Sequence, residues 1–133
     1  MKRVLPVLLL FTSATASADW LKIDVAADTS AGKFIDTKTM RQTGPMNTMR
    51  RVWELSNLAN GVPNKVLSTK AQVEYDCKDR RVRVLEEARF SEHWAQGENL
   101  TLKGLEIKTG NWSAISKGSV SDTIFNRVCP NDD

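Results

Sequence analysis

Two cysteines constrain this chain more than any other feature, because they are its only possible internal cross-link. Cys77 ends the first strand of a β-hairpin that alternation of polar and apolar residues predicts over residues 71–84. Cys129 lies four residues before the end of the sequence, where a predicted helix ends. A disulfide between the two would fix how a C-terminal helix lies on a sheet.

The N-terminal residues predict export. Lys2-Arg3 supplies positive charge, residues 4–11 form a short apolar run, and Ala16-Ser17-Ala18 has the small side chains of a signal-peptidase site. The run is much shorter than the about 20 apolar residues that cross a bilayer. We therefore expect residues 1–18 to be a signal peptide and residues 19–133 to form one exported domain without a transmembrane segment.

Two cysteines in an exported protein most simply form one disulfide. Cys77 and Cys129 would close a loop of about 50 residues, which stabilises the fold by about 4 kcal/mol in the chain-entropy description. A redox role would need a C-x-x-C motif or surroundings that stabilise a thiolate, and the sequence shows neither. The predicted disulfide is therefore structural.

The net charge argues against nucleic acid as a partner. The whole sequence has 19 basic and 16 acidic residues, for a charge of +3. Without Lys2 and Arg3 there are 17 basic residues against 16 acidic ones. A nearly neutral domain gives no electrostatic reason to expect nucleic-acid binding.

One register of the hairpin suits both of its faces. It places three complementary pairs opposite each other: Val73 with Val84, Glu74 with Arg83, and Asp76 with Arg81. Arg89 is expected to share the outer face with Arg81 and Arg83. We interpret these arginines as an ion-pair ladder on a solvated face, and the alternative is a basic patch that binds a ligand.

Two other segments complete the predicted fold. Residues 47–58 alternate, with Trp53 and Leu55 expected on the buried side. Ser119 can cap a helix, with Asp122 three residues later. The helix has an apolar stripe: Val120, Ile124 and Val128. We predict an α+β fold, a twisted antiparallel sheet of about five or six strands with one C-terminal helix tethered by the disulfide.

The sequence offers little for catalysis. It has one histidine, His93, and no G-x-S-x-G elbow or glycine-rich phosphate loop. Adjacent carboxylates such as Glu86 and Glu87 project to opposite faces of a strand. We therefore expect no enzymatic activity, no metal site and no cofactor. Trp94 is the one tryptophan in a predicted loop, where a large aromatic side chain can anchor a partner.

The chain resembles the bacterial surface-adhesin E family over nearly all of the predicted domain. The resemblance follows an ordered series: Trp20, Phe34-Ile35-Asp36, Val52-Trp53, Glu74-Tyr75-Asp76-Cys77 with Arg80 and Arg83, Trp112, and Val128-Cys129. It implies a small exported α+β domain from a Gram-negative bacterium, with no enzymatic activity. It also implies binding to host extracellular-matrix and plasma proteins.

Two functional hypotheses follow. The first is an exported binding module for a protein or envelope macromolecule, with His93, Trp94, Arg80 and Arg81 as candidate contact residues. The second is a periplasmic accessory protein or hydrolase inhibitor, because Ala16-Ser17-Ala18-Asp19 lacks the cysteine of a lipoprotein. Periplasmic, secreted and cell-surface locations all fit the leader, and an exposed edge in so small a sheet allows a homodimer.

Overall fold

The computed structural model describes residues 19–24, 32–59, 65–101 and 110–130. Within these ranges the chain forms seven strands and one α-helix. The strands are β1 (Trp20–Ile23), β2 (Gly32–Asp36), β3 (Arg41–Thr43), β4 (Met49–Asn57), β5 (Ser68–Asp76), β6 (Arg81–Phe90) and β7 (Ser113–Ala114), and the helix is α1 (Val120–Val128). The predicted signal peptide, residues 1–18, lies outside the described residues.

All strand pairs of the sheet are antiparallel, in the order β1-β2-β4-β5-β6-β7. The short strand β3 pairs with the first half of β4, and β2 pairs with its second half, so both lie along the same edge of β4. Strands β4, β5 and β6 are nine or ten residues long and form the centre of the sheet. The two short strands β3 and β7 raise the strand count to seven.

The predicted register of the β5–β6 hairpin is confirmed. Val73 pairs with Val84, and the two acidic residues of β5 pair with the two predicted arginines. The register shifts between Gln72 and Val73, and Leu85 is the extra residue of this β-bulge. Because the shift reverses the alternation, Arg89 pairs with Thr69 and lies on the face opposite Arg83. The expectation that Arg89 shares the face of Arg81 and Arg83 was therefore wrong.

The main core lies between one sheet face, called here the helix face, and α1. Every strand of the central sheet contributes to it, and its buried residues include Ile23, Ile35, Val52, Val73, Tyr75, Ile124, Phe125 and Val128. Burial of an aliphatic or aromatic side chain of this size contributes about 1.5–3 kcal/mol. This cluster is the principal source of stability among the described residues.

The expected burial of β4 was correct for Leu55 and wrong for Trp53. Leu55 is 1% exposed, but Trp53 is only half-buried, whereas Val52 and Glu54 on the helix face are buried. Both faces of β4 are covered, one by α1 and the other by the turn that follows β6. A strand that is covered on both sides cannot be oriented by alternation alone.

The C-terminal helix begins and ends as predicted. The Ser119 hydroxyl accepts a hydrogen bond from the Asp122 N–H at 3.1 Å, and the Asp122 carboxylate accepts one from the Gly118 N–H at 2.8 Å. Cys129 follows the last turn and forms the disulfide with Cys77, with Cα atoms 5.6 Å apart. The predicted α+β fold with a disulfide-tethered C-terminal helix is confirmed.

Candidate functional site

The face of the sheet opposite α1, called here the open face, carries a buried carboxylate between two arginines. Glu74 is 1% exposed. Its Oε2 accepts hydrogen bonds from Arg51 Nε at 3.2 Å and Nη2 at 2.9 Å, and from the Thr43 hydroxyl at 2.9 Å. Its Oε1 accepts from Arg83 Nε at 3.0 Å and Nη2 at 2.5 Å. Strand pairing produces this arrangement, because Arg51, Glu74 and Arg83 are direct cross-strand neighbours.

Asp76 repeats the pattern one pair further along the hairpin. It is 2% exposed and accepts a hydrogen bond from Arg81 Nε at 2.9 Å. Its other oxygen accepts the backbone N–H groups of Lys78 and Asp79, both at 3.1 Å, and so shapes the hairpin turn. The predicted ion-pair ladder is confirmed. The prediction that it is solvated is wrong for the carboxylates, because both are buried beneath their arginines.

The ionised form of both carboxylates is favoured. Burial raises the pKa of Glu74, but hydrogen bonds from Arg83, Thr43 and Arg51 outweigh it and hold the pKa below its ordinary value. Burial also raises the pKa of Asp76, and the hydrogen bonds from the Asp79 N–H, Arg81 and the Lys78 N–H again lower it overall. The carboxylates therefore remain charged, and they fix the guanidinium groups that lie over them.

The lowered pKa values predict acid sensitivity. A group whose pKa falls on folding stabilises the protein above its unfolded pKa and loses that contribution as the pH drops through the folded pKa. The free energy of unfolding should therefore be flat above about pH 5, then decline below the ordinary values of 4.5 for Glu74 and 3.8 for Asp76. Urea denaturation at several pH values measures this, and Glu74→Gln should make the decline shallower. An equally steep decline in the variant would contradict the assignment to Glu74.

Trp112 adds an aromatic platform at this end of the sheet. The guanidinium carbons of Arg81 and Arg83 lie 4.5 and 4.3 Å from the centre of its ring. Cation–π contacts of this kind contribute about 0.5–2 kcal/mol each, depending on exposure. The two arginines are therefore oriented by hydrogen bonds to carboxylates and by contact with the face of an indole ring.

The second feature of the open face is the His93–Ala95 turn after β6. Trp94 and Ala95 have φ of 62° and 55°, values that non-glycine residues rarely adopt. The Trp94 N–H donates to Asn57 Oδ1 at 2.8 Å, and the Ala95 N–H donates to Ser68 Oγ at 3.0 Å. The acceptor side chains are 4% and 0% exposed. Buried polar groups on the sheet therefore hold the turn in place.

The same turn presents Trp94 to solvent. Its ring lies 4.7 Å from that of Phe34, and 47% of the residue remains exposed. His93 Nε2 lies 2.9 Å from the Leu58 carbonyl oxygen, which can only accept, so Nε2 carries the proton. Left-handed backbone costs about 1–3 kcal/mol per non-glycine residue and persists where neighbouring groups enforce it. Strained backbone of this kind clusters at functional sites, so the turn is a candidate binding contact.

The four candidate contact residues do not form one site. Arg80 lies over the Phe125 ring and pairs with Asp122 of α1, so it joins the hairpin turn to the helix. Arg81 lies at the same end of the sheet, and His93 and Trp94 lie at the other, about 27 Å away along β5. Sequence reasoning missed Asn57 and Ser68, which carry no local signal because they act on a turn distant in sequence.

A cavity of about 370 Å³ lies between β6 and α1. At its polar wall the Tyr75 hydroxyl donates to Glu54, whose other oxygen lies 3.1 Å from Lys33 Nζ. Burial, followed by the Glu54 charge, raises the pKa of Tyr75 far above its ordinary value. Each oxygen of Glu54 thus has a donor and Tyr75 stays protonated, so the pair is suited to holding the sheet rather than to proton transfer. The remaining lining residues are Val73, Val82, Arg83, Val84, Asn111, Ser113 and Ser121.

Two other kinds of site are absent from the described ranges. No group of three or more His, Cys, Asp or Glu side chains there is arranged to hold a metal ion. The helix found in these ranges has nine residues, and none of the described helices has the length and hydropathy needed to cross a membrane.

The fold has counterparts among solved structures. Two solved structures of Haemophilus influenzae protein E are similar to this chain. Its crystal form II matches with a TM-score of 0.62 and 13% identity, over 81% of this chain and 86% of that one. The other structure matches with a TM-score of 0.56 and 14% identity, over 80% of this chain and 79% of that chain. At these identities the likeness shows a shared fold.

No curated protein sequence gives a significant match. The family described as Surface-adhesin protein E matches residues 20–130, which span all the described strands and the helix. The chain therefore belongs to the Surface-adhesin protein E family.

Proposed function

We propose that the protein is an exported, non-enzymatic binding module that contacts a protein partner through the His93–Ala95 turn. Membership of an adhesin family supports the general role of binding. The observation that carries the proposal is Trp94, an exposed aromatic residue on a backbone that buried side chains hold rigid.

A rigid aromatic contact is well suited to recognition. Tryptophan is enriched among the few interface residues that carry most of the binding energy, because it buries a large area and has few rotatable bonds. The strained turn orders the ring before the partner arrives, which lowers the entropy cost of association. His93 fixes the start of the turn through its hydrogen bond to the Leu58 carbonyl. We assign Trp94 the contact role and His93 the positioning role.

Trp94→Ala should weaken binding to the partner about 30-fold, corresponding to the about 2 kcal/mol of an interface hot spot. Its free energy of unfolding should change by less than about 1 kcal/mol, because about half of the residue is exposed and alanine can adopt the same backbone conformation. Surface plasmon resonance against immobilised extracellular-matrix and plasma proteins, with residues 19–133 as analyte, measures the affinity.

Met46→Ala is the matched control. Met46 is 94% exposed and also lies in a short turn with a positive φ of 55°, but at the opposite end of β4. Its affinity should equal that of the unmodified protein. An equal loss in both variants would indicate nonspecific adsorption, and no binding at micromolar concentration to any matrix, plasma or envelope component would contradict the proposal.

Export and surface exposure are part of the proposal and have their own test. Protease treatment of intact host cells should degrade the protein if it is exposed at the surface, and the culture medium should contain it if it is secreted. Protection until the outer membrane is opened would exclude adhesion to a host. The partner would then be sought within the envelope.

The second candidate function, an inhibitor or accessory protein of the periplasm, rests on the same turn. Glu92, His93 and Trp94 form a short segment with an aromatic tip that could enter the active site of a hydrolase. Retention in the periplasm, together with capture of an envelope hydrolase by the unmodified protein and not by Trp94→Ala, would favour this role over adhesion.

A further inference from the structure

On the open face most acidic side chains are buried, whereas the basic side chains reach solvent. Strand pairing places six basic side chains on this face: Lys22, Arg41, Arg51, Lys70, Arg81 and Arg83. It places four acidic ones there: Asp36, Glu74, Asp76 and Glu86. The first three of these acids are each no more than 2% exposed, so Glu86 is the accessible one. With six basic and four acidic side chains the face has a net charge of +2, and the charges that a partner meets there are mostly positive.

Four of the cations are arginines grouped at one end, called here the arginine row: Arg41, Arg51, Arg81 and Arg83. Arg41 of β3 pairs with Arg51 of β4, and Arg83 of β6 lies beyond Glu74. Three strand spacings separate Arg41 from Arg83, which is about 14 Å across the sheet. Arg41 is exposed and has no carboxylate within salt-bridge distance among the described residues. The row therefore carries more positive charge than its buried acids neutralise.

The arginines of the row retain free donors. Arg51 and Arg83 use Nε and Nη2 toward Glu74, and Nη1 of each has no partner within the described part of the chain. A guanidinium group held in place by a carboxylate and an indole ring loses little entropy when it binds an anion. Planar N–H pairs of this kind match the oxygens of sulfate, phosphate and carboxylate groups.

The centre of the row lacks the apolar anchor that a protein partner needs. Protein interfaces depend on apolar or aromatic anchors at their centre. The exposed large hydrophobic residues of the described chain are Met40, Met46 and Trp94: Met40 and Met46 flank β3 at the margin of the row, and Trp94 lies at the other end of the sheet. Trp112 on this face is already covered by two guanidinium groups. Extended charge without a central apolar anchor fits a linear polymer that carries an anionic group on nearly every unit.

We infer that the arginine row is a docking surface for a linear sulfated glycan, distinct from the His93–Ala95 turn. The glycan lies across strands β3 to β6, and its sulfate groups accept hydrogen bonds from the exposed guanidinium edges. Binding of this kind is driven by ion pairing and release of counter-ions, so it weakens as the salt concentration rises.

Binding is tested with a fluorescent heparin oligosaccharide by anisotropy at several salt concentrations. Arg41→Glu should weaken binding about tenfold, through loss of a charge-assisted contact and added repulsion. Arg127→Glu is the control, because Arg127 is an exposed arginine of α1 on the other side of the molecule. Its affinity should change less than twofold. Equal losses in the two variants would show an effect of net charge alone and would overturn the docking surface.

Competitors identify the chemistry of the partner. Unlabelled heparin should displace the probe, whereas desulfated heparin and poly-glutamate should not. Equal displacement by poly-glutamate would overturn the inference in favour of acidic protein segments, and failure of the unmodified protein to bind heparin would overturn it outright. Trp94→Ala should leave heparin binding unchanged, so failure of the proposed protein contact and failure of the glycan surface are distinguishable.

A second measurement avoids substitution altogether. Phenylglyoxal modifies accessible arginines, and mass spectrometry locates the modified residues. Heparin should protect Arg41, Arg51, Arg81 and Arg83 and leave Arg127 reactive. Uniform protection, or protection confined to arginines outside the row, would overturn the assignment.

Discussion

The Cys77→Ser/Cys129→Ser double variant should lose about 4 kcal/mol of unfolding free energy, which corresponds to a melting temperature roughly 20 °C lower. The disulfide closes a sequence separation of 52 residues, so its loss greatly enlarges the conformational freedom of the unfolded chain. It also releases the end of α1, which supplies Ile124, Phe125 and Val128 to the core. Differential scanning calorimetry of residues 19–133 measures the change.

Reductant provides the control for this experiment. Dithiothreitol should lower the melting temperature of the unmodified protein to that of the double variant and should leave the double variant unchanged. The Ser116–Ser119 turn, Ser119 cap and Arg80–Asp122 pair remain in all samples, so they do not contribute to the difference. A melting temperature of the unmodified protein that reductant does not change would contradict the stabilising role.

Glu74→Gln should lower the free energy of unfolding by about 3 kcal/mol. The glutamine cannot neutralise Arg51 and Arg83, whose side chains would face each other without the charge that now lies between them. The arginines are 32% and 28% exposed, so solvent offsets part of the repulsion and the expected cost stays at the lower end for a broken buried pair. Urea denaturation at neutral pH measures it.

Two comparisons separate charge from packing. Glu86→Gln makes the same change at an exposed position on the same face and should alter stability by less than about 0.5 kcal/mol. Adding Arg51→Met and Arg83→Met to Glu74→Gln should recover much of the loss, because no unpaired charge then remains. If the triple variant were less stable than Glu74→Gln, packing by the long arginine side chains would account for the effect.

The elements that sequence reasoning predicted well are those governed by neighbours along the chain. The hairpin register follows from charge and size pairing on both faces, so Val73, Glu74 and Asp76 meet the expected partners. The helix follows from the Ser119 cap and an apolar stripe. The disulfide is the exception, because it joins residues 52 apart, but the sequence has only two cysteines and so allows only one pairing. None of these inferences needs the position of a distant segment.

The predictions that were wrong or missing depended on distant segments. Arg89 changed face because a single bulge residue reverses alternation, and a bulge has no distinct local signature at Leu85. Trp53 is only half-buried because the turn that covers this face of β4, about 40 residues later in the sequence, lies over its far half, near Asn57. The positive φ of Trp94 could not be predicted, because the residue is not a glycine. Hydrogen bonds to Asn57 and Ser68, which are distant in sequence, enforce it.

By itself the sequence determined a disulfide-tethered α+β domain and the register of its central hairpin, and it contains no recognisable catalytic motif. Only the tertiary structure decided which charges a partner meets. In the sequence the charges of Glu74 and Asp76 balance those of Arg83 and Arg81. In the fold these acids are only 1–2% exposed, and the guanidinium groups lie above them. The physical reason is length: a carboxylate on a short side chain stays near the sheet, whereas an arginine reaches past it to water.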